Sequence, residues 1–483
     1  MRLLGRWRSL SKYGKCLIVL FILTLPLVNP WVRGDGVGYY AYVRSLLIDG
    51  DLRFENEYQR GNQGLVMLMM GNTGKLHSDL YTPTGYVANH FSVGPSILWA
   101  PFLAVVHGAV KVTNRLGATV PADGFSWPYT VGMALATALY GFLGLYLSFC
   151  LARIHFDERW AFLATLGIWF ASSLVVYMYF NPSWSHAHSA FATSLFLWYW
   201  HRTRGHRSPA QWVLLGLISG LMLDVYYPNI VFLLIPLLEA VRSYLRTWRA
   251  WAGDWQEVRR LISTHLLYAL VVVAAFLPTL VTRQIIYGSP FDLGYDRLRD
   301  WAWTAPVLGK VLFSSAHGML SWTPILIPGI LGLVFLRQRA KEFAGYLMVV
   351  GLAFYYLIAS YPHWDGTSSF GNRFFISLTP LYVLGLTASL QWLGTILSRT
   401  GRAWTVATLV TSLLIVWNLG FVFQWGMKMI PNRGPISWRQ MIYNQFMVVP
   451  GRLGDSLGRY FSARDTLMQD IEREDIRQQH NPG

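Results

Sequence analysis

Eleven stretches of this chain are apolar over close to the length that a helix needs to cross a bilayer, about 20 residues each. They fall near 13–31, 128–151, 160–180, 187–201, 210–225, 228–242, 262–282, 318–336, 343–361, 375–397 and 404–425. Backbone in lipid must satisfy its own hydrogen bonds, so spans of this kind are helices. Only 13% of the 483 residues are charged, about half of the ~25% usual in soluble chains. The expected fold is therefore an all-α polytopic membrane protein of about eleven transmembrane helices. A formal charge of +16 would suggest nucleic acid in a soluble protein; in a membrane protein it is read by position, and no nucleic-acid partner is expected.

Position is informative. A twelfth apolar segment, 95–112, is broken by Pro101, His107 and Gly108. If it lies flat at the interface, twenty Lys and Arg residues fall on one side of the membrane. They come from the N-terminus (Arg2, Arg6, Arg8, Lys12, Lys15) and from short loops near 152–159, 202–209, 242–260, 337–342 and 398–403. The opposite short loops, 181–186 and 224–229, carry none. The positive-inside rule then puts the N-terminus in the cytoplasm and makes 95–112 an interfacial helix. A chain of this kind is expected in a bacterial inner (cytoplasmic) membrane. One transmembrane domain spans 1–425, with a long first extracytoplasmic loop over 32–127, and 426–483 form an extracytoplasmic tail read as a surface helix. The first apolar run is followed by Asn29-Pro30-Trp31 rather than a small-residue cleavage site, so it reads as an uncleaved span. Cys16 and Cys150 both sit in apolar runs and offer neither a disulfide framework nor a cysteine metal site.

The strongest chemical signal is Arg33-Gly34-Asp35-Gly36-Val37-Gly38, just outside the first span. An acid between glycines at a helix end stands on the boundary of water and lipid, where it can take a proton from an acceptor hydroxyl while another substrate stays in the bilayer. A short amphipathic helix is expected over 39–48. Behind it come Glu55 and Glu57, then His90 before Pro95. Two interfacial helices around an early Asp are more than a connector needs.

This arrangement resembles the GT-C superfamily of membrane glycosyltransferases, which includes protein mannosyltransferases and aminoarabinose transferases. The matching positions are Asp35, the segments 38–48 and 95–112, and His90 with Pro95. The usual Asp-Glu dipeptide is replaced by Asp35-Gly36, and the basic residue before Pro-Pro by His90-Phe-Ser-Val-Gly-Pro95. The resemblance implies a catalytic Asp35 and juxtamembrane helices in the first loop. It also implies an Arg in a Gly-x-Arg-Phe setting before Leu-x-Pro, matched here by Arg373. A planar guanidinium suits a lipid phosphate.

Further residues expected on the same face complete the candidate site. His186 and His188 open a helix; two residues apart, they would point about 200° apart and hold a metal only in an extended segment. Asp292, Asp296, Arg297, Arg299 and Trp301 mix charge with aromatic surface, which suits a sugar. Tyr39, Glu55, Glu57 and Asp365 complete the substrate-binding set. The expected donor is a polyprenyl-phosphate sugar, with a hexosyl or pentosyl group moved to an extracytoplasmic glycan, lipid or protein acceptor. Asp35 acts as base with inversion, while Arg373, His90, Arg297 and Arg299 receive the departing phosphate. The scheme requires no cofactor, although the histidines and acidic loop leave room for a divalent metal. The alternatives are a transporter or flippase, and a non-catalytic assembly protein for envelope polysaccharide. The near absence of charge at helix centres speaks against transport.

Overall fold

The computed structural model describes residues 10–70, 74–249 and 255–480. Arg2, Arg6 and Arg8, and residues 250–254 of the basic 242–260 loop, lie outside the described residues. The regular structure described is helical, apart from one isolated bridge between Tyr81 and Val87. All eleven apolar stretches are helical: six form helices long and apolar enough to cross a membrane, and five are shorter, less apolar or interrupted. The expected 160–180 span is one of the interrupted ones. Its helix, Glu158–Phe170, ends where Ser172 Oγ turns back to Ile168 O at 2.6 Å, and the chain resumes as a π-turn over Val176–Phe180. Likewise Pro324, which has no N–H to donate, divides the 318–336 stretch into Met319–Trp322 and Leu326–Leu336.

The Thr379–Ile396 helix is buried on all sides through its first three turns, as a helix with no polar face must be. It packs against the Trp127–Ala152, Glu158–Phe170, Leu326–Leu336 and Ala403–Gly426 helices. One end of the bundle gathers arginines: Arg153, Arg207 and Arg242 pair there with Glu158, Glu239 and Glu342. Asp35, His186, Tyr226 and Arg373 gather at the other end.

The Gly94–Arg115 helix is also long and apolar enough to cross, yet both of its flanks belong to the Asp35 end. Ser96 Oγ bonds Tyr39 O at 2.6 Å, and beyond the helix Tyr40 donates to Gly124 O at 2.7 Å. It runs antiparallel to the first half of the Trp127–Ala152 helix, from Leu98 against Tyr140 to His107 against Tyr129. Gly94, four residues before Leu98, thus stops about 8 residues, ~12 Å of helix, short of the Ala152 end. The helix thus lies alongside the first half of a membrane-length helix, with both of its flanks tied to the Asp35 end.

The tail is more tightly docked than a surface helix. Leu467 and Ile471 of the Arg464–His480 helix are buried, and Arg464 donates to Val28 O and Pro26 O at the end of the first helix. Asp475 pairs with Lys428 at 2.8 Å and Arg33 at 3.4 Å. Burial pushes the Lys428 ammonium down to about 8, with Arg33 adding to the shift and Asp475 opposing it.

Candidate active site

Asp35 opens the Asp35–Arg44 helix, which begins four residues earlier than the amphipathic helix expected from the sequence and is buried along nearly its whole length. Gly34 precedes it at φ +53°, ψ −131°, a conformation that strains any residue with a side chain. The Gly34 N–H donates to Asn62 Oδ1 at 2.8 Å. A Cβ on Gly36 would lie 2.0 Å from Ser183 Oγ. This glycine therefore admits the protein's own Asn181–His186 segment rather than a substrate. Gly36→Ala is expected to cost about 1–3 kcal/mol through overpacking. Thermal unfolding in detergent would read it as a lowered Tm, against Gly309→Ala, where a Cβ meets open space.

The partner of Asp35 is Arg373, not the adjacent Arg33, which faces Asp475. Arg373 Nη1 lies 2.7 Å from Asp35 Oδ2; the arginine side chain is 10% exposed and the carboxylate 33%. The guanidinium stacks 4.2 Å over the Trp184 ring, and its Nε is buried with no partner. The Trp184 indole N–H in turn donates to Arg33 O at 3.0 Å. A one-third-exposed carboxylate thus rests on a buried cation.

Aromatic rings and one imidazole surround this pair. Tyr39 is buried, its hydroxyl accepts from Ser185 Oγ at 3.0 Å, and burial, helped by Asp35, pushes its pKa well up. The His90 ring packs 4.1 Å from Phe91 and 4.7 Å from Tyr295. Burial lowers the His90 pKa and the Asp35 charge opposes that, so this imidazole is neutral at neutral pH. Arg283 holds the segment from behind. It is fully buried and donates to Asn89 O and Phe91 O, both at 2.5 Å, and to Tyr42 Oη at 3.0 Å. Sequence reasoning passed over Arg283, although an arginine at the end of an apolar run is a warning sign. Trp184 and Tyr295 stood in segments already singled out, with no cue to their orientation.

The remaining candidates divide. His186 is buried between Tyr177 and Phe374, near Arg373. His188 turns instead to Trp99 and Tyr140, so the two rings go to different surroundings, as their spacing on a helix requires. Among the described residues no three His, Cys, Asp or Glu side chains converge to hold a metal ion. Trp301 stacks on Trp303 and packs 4.8 Å from Tyr361, which borders Phe374. Asp296 lies 3.4 Å from His363 Nε2. Arg297 and Arg299 are exposed, and Arg299 pairs with Asp300; neither contacts Asp35 or Arg373. Asp292 accepts from Gly294 N and Asp365 from Thr367 N, both turn-forming bonds. Glu55 is half-buried at the start of a five-residue helix. Glu57 is buried against Arg44 Nη1 at 3.0 Å, and burial lifts its carboxyl to about 7 against the pull of Arg44.

A cavity of about 1330 Å³ lies on another side of the Asp35–Arg44 helix, between Val37 and Tyr40 and the C-terminal helices. Asp35 and Arg373 do not line it.

No family model matches the chain, and no curated protein matches its sequence. Solved structures do. One is ArnT from Cupriavidus metallidurans bound to undecaprenyl phosphate: 14% identity, TM-score 0.50, covering 96% of this chain and 73% of that one. The apo state of the same protein matches at 14% identity and TM-score 0.45, covering 95% and 77%. The first likeness shows the fold alone: this chain shares that protein's all-helical, polytopic architecture.

Proposed function

We propose that this chain is a glycosyltransferase that moves a sugar from a polyprenyl phosphate to an acceptor hydroxyl on the extracytoplasmic side, with inversion at the anomeric carbon. The observation that carries this reading is the Asp35–Arg373 pair, a one-third-exposed carboxylate on a buried guanidinium ringed by Trp184, Tyr39 and His90. The ArnT relative by fold was solved with undecaprenyl phosphate, which supports a donor of that kind here.

In this reading the pair is a masked base. While Arg373 faces Asp35 its positive charge ties up the lone pairs needed to accept a proton. A donor phosphate competes for the same guanidinium, to which it can make two parallel charge-assisted bonds where Asp35 makes one contact. Donor binding draws Arg373 away and frees Asp35. The acceptor O–H then gives its proton to Asp35, its oxygen bonds the anomeric carbon, and the carbon–oxygen bond to phosphate breaks. Polyprenyl phosphate leaves with the electron pair, stabilised by Arg373. Neutral His90 offers a hydrogen bond, and exposed Arg297 and Arg299 serve at the rim, gathering the headgroup. Trp301 and Tyr361 supply stacking surface for the sugar. Each step uses side chains alone.

The decisive assay uses proteoliposomes with a labelled polyprenyl-phosphate sugar. Covalent transfer of label to a new product with inverted anomeric configuration supports the proposal. Label that only changes leaflet indicates a flippase, and label that does neither indicates an assembly protein. Sidedness is tested separately by cysteine labelling in a Cys16→Ala, Cys150→Ala background. His206→Cys, at the arginine-rich end, should react only after the membrane is permeabilised, and Arg299→Cys should react in intact cells. The reverse pattern would place Asp35 in the cytoplasm and overturn the extracytoplasmic assignment.

A further inference from the structure

After the Ala403–Gly426 helix the chain returns to the flank of that helix as two arms, Trp438–Tyr443 and Val449–Ser462, joined by a π-turn over Asn444–Val448. Gln445 Nε2 donates to Trp417 O at 3.1 Å, and the Phe446 and Trp417 rings are 6.5 Å apart. A Cβ on Gly420 would lie 2.2 Å from that amide nitrogen, so a glycine is needed to admit it. Gly420 stands about six residues, ~9 Å of helix, inside the Gly426 end.

The turn is inside out for one in water. Its amides point inward: Gln445 accepts from Gln424 Nε2 at 2.7 Å, the same nitrogen reaches Met441 O at 3.2 Å, and Asn444 accepts from Gln440 Nε2 at 2.9 Å. Asn444, Gln445 and Gln424 are buried, whereas Phe446 is 62% and Met447 69% exposed. A turn at membrane depth must satisfy its polar groups within the protein and give its apolar ones to lipid. On the second arm Leu453, Leu457 and Phe461 recur every four residues and are exposed. Arg452, Asp455 and Arg459 lie about 140–160° round the helix from that stripe. Phe446 meets Trp417, whose neighbours Val416 and Leu419 are exposed on the apolar span, so the bare patch continues a surface that faces lipid.

We propose that residues 438–461 form a shallow re-entrant hairpin that dips into the acyl region of the leaflet on the Asp35 side. Phe446 and Met447 at its tip, and the Leu453, Leu457 and Phe461 stripe, face lipid chains. A depth of ~9 Å matches the 5–10 Å at which amphipathic helices settle below the headgroups. Arg439 and Arg452 bound a run of twelve uncharged residues around the tip, and their long stems let both guanidinium groups reach the headgroups. Part of the tail expected outside the membrane then lies in it. The second arm ends where Tyr460 donates to Leu27 O at 2.7 Å, at the end of the first helix. The hairpin thereby anchors in lipid the Arg464–His480 helix, whose Asp475 pairs with Arg33 beside the Asp35 turn. This embedding is independent of the glycosyl-transfer reading.

Spin labels test the depth. Single-cysteine variants of the full chain, in the Cys16→Ala, Cys150→Ala background, are labelled and returned to liposomes of phosphatidylcholine and phosphatidylglycerol. Relaxation of each label by oxygen, which concentrates in lipid, is compared with relaxation by a water-soluble nickel chelate. Met447→Cys and Leu457→Cys should favour oxygen, as should Val416→Cys on the exposed side of the span. Asp455→Cys should favour nickel, as should Arg299→Cys on its exposed loop. A Met447 label that favours nickel overturns the proposal by placing the turn in water. One shielded from both reagents overturns it in favour of a protein cover, a second copy of the chain included. Met447→Asp gives a check without a label. A charge among acyl chains is costly, so this variant should lower the Tm in liposomes. On a water-facing turn the same change would leave the Tm unchanged or raise it, and either result overturns the proposal.

Discussion

Asp35→Asn is expected to give a folded, membrane-inserted protein whose transfer rate is lower by roughly 10²–10⁴-fold, the usual contribution of a positioned general base. The amide has almost the shape of the acid and still offers an oxygen to Arg373, but it cannot accept the acceptor proton. Removing the negative charge leaves a buried guanidinium without its counter-ion, which is destabilising. The loss is smaller than for a sealed pair because Asp35 is one-third exposed. Asp49→Asn and Asp51→Asn are the controls. Asp49 meets Arg44 and Asn56, and Asp51 accepts from Ser45 Oγ at 2.7 Å and Arg53 N at 3.0 Å. Both hold the turn after the helix and should leave the rate within a few-fold of wild type. Initial rates in proteoliposomes, with thermal unfolding in parallel, decide the matter. Full activity in Asp35→Asn would end the base assignment, and an equal loss in all three variants would mark a structural effect.

What the sequence made legible follows from how locally each property is encoded. Lipid forbids unsatisfied backbone, so eleven apolar runs were enough to locate eleven helical segments. The Gly94–Arg115 helix was harder, being apolar and long enough to cross; only the distribution of arginines elsewhere argued for placing it on one side. The breaks at Ser172 and Pro324 depended on individual side-chain bonds and a missing N–H, which apolar averages hide. Asp35 stood out because an acid between glycines at a helix end is uncommon. Its pairing with Arg373 was not legible, since nothing local says which of several arginines reaches it. Arg297 and Arg299 looked equally suited from their aromatic neighbours, but they sit on an exposed loop. The tail read as a surface helix because Leu467 and Ile471 are too few to make a strong apolar stripe, and its docking relies on polar contacts of Glu472 and Asp475 with the first loop and with Lys428.

Arg373 provides the second large effect, and its two substitutions separate charge from geometry. Arg373→Ala removes the cation, its stacking on Trp184 and the counter-ion of Asp35, and should weaken donor use by about 2–5 kcal/mol, roughly 30- to 4000-fold in kcat/KM for the donor. Arg373→Lys restores the charge but not the planar group that lies over the indole, nor two parallel bonds to a phosphate. It should recover part of the loss, with the donor KM still raised. The masked-base reading adds a kinetic signature. If phosphate must draw the guanidinium from Asp35 before a proton can move, the wild type binds donor first, and an unreactive acceptor analogue inhibits uncompetitively against donor. In Arg373→Ala no cation masks Asp35, so that order should relax and the same analogue should show mixed inhibition, at a much lower overall rate. Arg297→Ala and Arg299→Ala, altering exposed arginines away from the pair, should change the donor KM by far less. An alanine variant with unchanged donor KM, or one that keeps strict ordered kinetics, would mean that Arg373 is a structural partner of Asp35 and that another group receives the phosphate.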